Sequence, residues 1–148
     1  DKITHFCLVL VLYIQHCYTV PMSQDEIIAY WKNTAHEDWQ SAESLFVSKN
    51  YMQALFFCHL AIEKLLKGLI AHKGKEPLFE HNLWHLLDRS GCVLPGELES
   101  EVDIVATFNI KGRYDDYKRS FYKIATAEYA KRYMSICKKI LDYIQNQY

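Results

Sequence analysis

Turn-forming residues are scarce in this chain. Five glycines and three prolines are spread over 148 residues. That is too few to punctuate the many tight turns of an all-β sandwich or barrel. The five cysteines are an odd number, and no Cys-x-x-Cys occurs. A disulfide framework is therefore excluded, and a reducing, cytoplasmic setting is expected. Neither G-x-x-x-x-G-K-[ST] nor G-x-G-x-x-G is present, so no glycine loop cradles a phosphate and no cofactor is implied. Any nucleotide would have to be held by side chains and helix ends. The formal net charge is −1, which excludes a uniformly basic nucleic-acid binder.

Long apolar runs are missing as well. Phe6 to Ile14 is apolar over nine residues, whereas a helix that crosses a bilayer needs about twenty. The run has the look of a signal-peptide core, but only Lys2 precedes it and no A-x-A site follows. Met22 stands just before a good helix start. Residues 1–21 therefore read as an extension upstream of a natural initiator at Met22, with residues 22–148 as the domain. A lipid-facing or partner-binding segment, or a further packed element, are the alternatives for 1–21.

What the chain does have is apolar side chain at helical spacing. Half of it is hydrophobic and 14% is aromatic, ample to offset ordering entropy. Ser23-Gln24-Asp25-Glu26 has the form of a capping box. Ile27, Trp31, Ala35, Trp39, Ala42 and Leu45 then follow at three- and four-residue intervals, to about Val47. Asn50 to Gln53 reads as a second cap of the same kind. Its helix runs to about Lys73, with Glu63 and Lys67 four apart in the favourable order. A short helix is expected from about Asn82 to Ser90, and another from about Leu98 to Ile110, stopped at Gly112. Arg113 to Ala125 reads mostly as an ordered loop, and the last helix spans about Thr126 to Asn146. Cys58 and Cys137 fall inside apolar stripes, as small hydrophobes.

Together these predict an all-α, up-and-down bundle of four to five helices. Tyr30, Phe56, Phe57, Tyr129 and Tyr143 lie outside the main stripes. A homodimer face is the expected place for them. Charge is uneven along the chain. From Lys111 onward nine Lys or Arg face four Asp or Glu, whereas the preceding residues carry fourteen acids and eight bases. The late segment can attract an anion, or both parts can be solvated faces.

The order of these features resembles the HEPN domain family (higher eukaryotes and prokaryotes nucleotide-binding). The resemblance covers about residues 25–146. It rests on Trp39 to Lys73, with Ala61-Ile62-Glu63-Lys64-Leu65-Leu66-Lys67 at its centre, and on His81-Asn82-Leu83 followed by Leu86-Leu87. Arg113-Tyr114-Asp115 and Thr126-Ala127-Glu128 with Ala130 complete it. The resemblance implies a HEPN-like bundle, usually a homodimer, and a role near nucleotides or RNA. It also implies a partner in a minimal nucleotidyltransferase encoded beside it. Some members are ribonucleases, toxins or antiviral effectors, and others have no demonstrated catalysis.

The family's ribonucleases carry Arg, four to six residues, then His. The histidine suits proton transfer near neutral pH and the arginine suits the developing phosphorane charge. Here every histidine precedes every arginine, so that pair cannot occur at any spacing. No catalytic residue is assigned. Arg113, Lys118, Arg119 and Lys123 remain, interleaved with Tyr114, Tyr117, Phe121 and Tyr122. Cations hold phosphate oxygens and aromatic rings stack on bases. The candidate ligand-binding residues are therefore Arg113, Tyr114, Tyr117, Lys118 and Arg119, with Lys64, Lys67 and His81 as further contributors. The other reading pairs Arg113 with Asp115, Asp116 or Glu63 and makes the segment a structural loop. His81 and His85 have a spacing that zinc uses, but no second ligand pair, and His81 is expected to bond a backbone or carboxylate group. Three functions stay open: a nucleotide-, single-stranded-RNA- or partner-binding module, a divergent metal-independent ribonuclease using Arg113, and a dimerisation scaffold.

Overall fold

The computed structural model describes residues 21–77, 79–114 and 116–148. Residues 1–20 of the expected N-terminal extension lie outside the described residues. All regular structure among the described residues is helical: α1 (Gln24–Val47), α2 (Tyr51–His72), α3 (Leu83–Ser90), α4 (Gly96–Glu99), α5 (Val102–Arg113), α6 (Ser120–Ile124) and α7 (Ala127–Gln145). No helix among them is long and apolar enough to cross a membrane.

The second helix is the axis of the bundle. Leu55, Cys58, Ile62, Leu66, Leu69 and Ile70 form its apolar face, Ala54, Ala61 and Leu65 are buried on one flank, and Glu63 and Lys67 are buried on the other. A helix buried on all sides has to be enclosed by others. The α1, α3, α5 and α7 helices all pack against it. The first helix contributes mainly small residues, Ala35 and Ala42, so the α1–α2 backbones approach closely.

Local chemistry sets most boundaries as expected. Both halves of the Ser23–Glu26 capping box form, and the Thr126 side chain accepts the Tyr129 N–H at the start of α7. Asn82 caps α3 by accepting from the Trp84 and His85 N–H groups. The second and third helices both end with a glycine at positive φ, Gly74 and Gly91.

Four expectations change. Asn50 stands before α2, but its side chain makes no cap bond. Its N–H instead donates to the Leu45 carbonyl at 2.8 Å, closing the end of α1, and its backbone lacks the extended conformation a cap needs. Gly112 does not stop the fifth helix. A Cβ there would stand 2.6 Å from the Phe56 Cβ, so glycine is present to let α5 approach α2. Within the expected loop, Ser120–Ile124 is helical because Phe121 is buried and packs on Phe108 at 5.8 Å between ring centroids. The helix expected from Leu98 divides into α4, opened by Pro95, and α5. Of the five aromatic residues outside the main stripes none is fully buried: Phe56, Phe57, Tyr129 and Tyr143 are half-buried and Tyr30 is largely exposed.

Candidate functional site

The eight candidate ligand residues fall into two groups. Lys64, Lys67 and His81 meet carboxylates on α1 and α2. Arg113, Tyr114, Tyr117, Lys118 and Arg119 sit together where α5 turns into α6.

The first group is organised by Glu63, which is only 4% exposed. Lys67 Nζ donates to Glu63 Oε1 at 2.9 Å, and His81 Nδ1 lies at the same distance from that oxygen. His59 Nε2 is 3.4 Å from Glu63 Oε2, and His59 Nδ1 is 3.3 Å from the Val105 carbonyl. Each His59 ring nitrogen thus faces an acceptor oxygen. Burial alone would raise the Glu63 pKa. The contacts from His59, Lys67 and His81 outweigh it and bring the carboxyl down to about 2. Lys67 also lies over the Trp31 ring, 5.3 Å from its centroid. Beside this cluster, Lys64 Nζ is 2.6 Å from Asp38 Oδ2. Burial raises the Asp38 pKa against that pairing.

On sequence grounds His59 is a lone residue with no case for chemistry. The signal that marks it is its register with Glu63 and Lys67, at i, i+4 and i+8. A row of polar residues at that spacing lies along one helix face. His85 turns away from His81 and meets Glu80 Oε2 at 3.0 Å. Glu80 is held down to about 2 by His85 and by the Asn82 and His81 N–H groups. The two histidines thus serve different carboxylates, and no group of metal-ligating side chains forms among the described residues.

The second group is built on the end of α5. The Arg113 guanidinium lies 5.3 Å from the Phe56 ring centroid. Among the described residues the ion pairs include none with it, and the Glu63 alternative is taken up by Lys67 and His81. Asp115 lies outside the described residues. Tyr114 and Tyr117 are 78% and 109% exposed, and Lys118 and Arg119 are exposed beside them. Asp116 Oδ1 accepts the Ser120 N–H at 3.0 Å, and its contacts with Ser120 keep its carboxyl below the usual range. Surface cavities of about 380, 590 and 420 Å³ line the α1 helix. None of these three includes Arg113 or its neighbours. The cationic segment, exposed at Arg113, Tyr114, Tyr117, Lys118 and Arg119, is a ledge carried on a helix end.

The sequence matches the HEPN domain family over residues 28–147. The chain belongs to the HEPN domain family. Solved structures share the fold. The protein TT1696 from Thermus thermophilus superposes with a TM-score of 0.70 at 19% identity, over 82% of this chain and 98% of that one. ST0689, an archaeal HEPN homologue, superposes with a TM-score of 0.66 at 21% identity, over 81% of this chain and 96% of its own. Among curated proteins no sequence matches this HEPN domain. At these identities the structural likeness speaks for the fold alone, and the chemistry of the site has to be argued from its own residues.

Proposed function

We propose that this HEPN domain is a non-catalytic binding module that holds a nucleotide or single-stranded RNA on the α5–α6 ledge. The observation that carries the reading is the state of Arg113. It is an exposed guanidinium with no ion-pair partner among the described residues, backed by Phe56 and flanked by the exposed Tyr114 and Tyr117. An exposed guanidinium presents a planar donor fork to phosphate oxygens. The neighbouring rings offer stacking surface to bases of any sequence. The contacting set is Arg113, Tyr114, Tyr117, Lys118 and Arg119. Lys64, Lys67 and His81 stand outside it, because Asp38 and Glu63 already engage them.

The module acts as a homodimer and works beside a minimal nucleotidyltransferase partner. The dimer face uses the apolar surface left exposed near the ledge, including Ile110 and Ile124. Sedimentation equilibrium tests the oligomer. A sedimenting species of one chain mass at micromolar concentration rejects it.

Fluorescence anisotropy with a labelled single-stranded RNA tests the site. Arg113→Ala combined with Lys118→Ala is expected to weaken binding about tenfold or more, as two charge-assisted contacts are lost. Unchanged affinity in a folded variant rejects the ledge. RNA product that forms with the native chain and disappears with Arg113→Ala would replace the binding reading with the ribonuclease one.

A further inference from the structure

Arg119 adopts φ 54°, ψ 45°. Together with Lys49 it accounts for the positive φ values at residues other than glycine among the described residues. Lys49 closes the end of a long helix, where that conformation is common. Arg119 opens a helix instead, so helix termination does not explain it. Its consequence is local: the guanidinium carbon lies 3.7 Å from the centroid of the Tyr122 ring. The other arginine–ring contacts, Arg113 on Phe56 at 5.3 Å and Arg132 on Tyr133 at 5.2 Å, are looser. At 3.7 Å the guanidinium is in stacking contact with the ring.

The turn that presents Arg119 is held from both sides. The Arg119 N–H donates to the Asp116 carbonyl at 2.8 Å, and the Lys123 N–H donates to the Arg119 carbonyl at 3.1 Å. Asp116 Oδ1 holds the Ser120 N–H. Tyr122 covers one side of the guanidinium, while the residue as a whole is exposed. The uncovered side is planar, cationic and weakly hydrated, which suits a second flat π-system.

We propose that Arg119, backed by Tyr122, is the stacking seat for one unpaired nucleobase, while Arg113 and Lys118 take the adjoining phosphates. The inference rests on the reading of the ledge as a nucleotide- or RNA-binding surface and assigns its parts. Duplex nucleic acid is disfavoured, because its bases are already stacked on one another.

The test uses a short mixed-sequence single-stranded RNA and an abasic ribose-phosphate oligomer of equal length, with binding followed by anisotropy. Arg119→Lys keeps the charge and loses the plane, and Tyr122→Leu removes the backing ring. Each is expected to weaken RNA binding about tenfold and to leave binding of the abasic oligomer unchanged. Arg113→Ala is expected to weaken both. The seat is rejected if Arg119→Lys retains native RNA affinity while Arg113→Ala loses it, an outcome that leaves the ledge itself standing. If the native chain binds neither oligomer, the ledge and the seat fall together. Circular dichroism of each variant establishes that it is folded.

Discussion

Glu63 shows what a single residue does in this bundle. Its carboxylate is enclosed in the core, yet the contacts from His59, Lys67 and His81 hold it ionised. A carboxyl whose pKa is lower in the folded than in the unfolded chain stabilises the fold above the unfolded value. That contribution is lost as pH falls through the folded value. With 4.5 unfolded and about 2 folded, the loss begins below roughly pH 5, is mostly over near pH 2 and is complete near pH 1. The shift corresponds to about 3 kcal/mol. Urea titrations of the native chain and of Glu63→Gln between pH 7 and pH 2.5 check this. The variant is expected to be less stable by about 3 kcal/mol at pH 7 and to converge on the native chain at the acid end. A gap that persists at acid pH would show that the residue acts through packing. The Glu63–Lys67 pair was legible as an i, i+4 match, but a salt bridge on a helix surface and one in a core have the same sequence. The burial, and the recruitment of His59 and His81, depended on which helices close over that face.

At the scale of elements, the boundaries carry the predictions. Lys49 stands at φ 61° at the end of the first helix, where its N–H donates to Phe46 and the Asn50 N–H donates to Leu45. The corresponding positions after α2 and α3 are glycines, Gly74 and Gly91. Lys49→Gly relieves the left-handed strain and is expected to stabilise the fold by about 1 kcal/mol. Calorimetry should record that as a rise of roughly 2–4 °C in Tm. Gly112 has the opposite logic. Gly112→Ala improves helix propensity by about 1 kcal/mol, but the new methyl group meets Phe56 at its Cβ, where no rotamer change gives relief. Net destabilisation of roughly 1–2 kcal/mol and weaker RNA binding are expected, because α5 is displaced and Arg113 travels with it. A stabilised variant would show that α5 does not press on Phe56. Helix existence was readable from spacing here. Asn50, Gly112 and Ser120–Ile124 were not, because a neighbouring helix decided each of them.

Over the whole molecule charge is uneven along the chain, with an excess of positive charge from Lys111 onward on a net charge of −1. If the ledge binds RNA through phosphates, affinity falls as salt rises, and the slope counts the contacts. Arg113→Ala is expected to make the plot of log affinity against log salt shallower by about 0.7, the single-strand value for one lost contact. Anisotropy at several potassium chloride concentrations measures it. An unaltered slope would mean that Arg113 touches no phosphate. The same charge distribution explains why average composition excluded a general basic binder without excluding a local one.

The sequence alone determined the all-α class, the order and approximate ends of the long helices, and membership of the HEPN domain family. These follow from short-range chemistry: apolar spacing along each helix, side-chain caps, and glycine at helix ends. Only the tertiary structure decided which charges remain available. Packing of the first two helices brings Lys64 to Asp38 and Lys67 to Glu63, whereas the fifth helix ends over Phe56 and leaves Arg113 exposed. A lysine and an arginine look alike as charges along a chain. Whether each meets an internal carboxylate or solvent is a property of distances across helices, which sequence spacing does not contain.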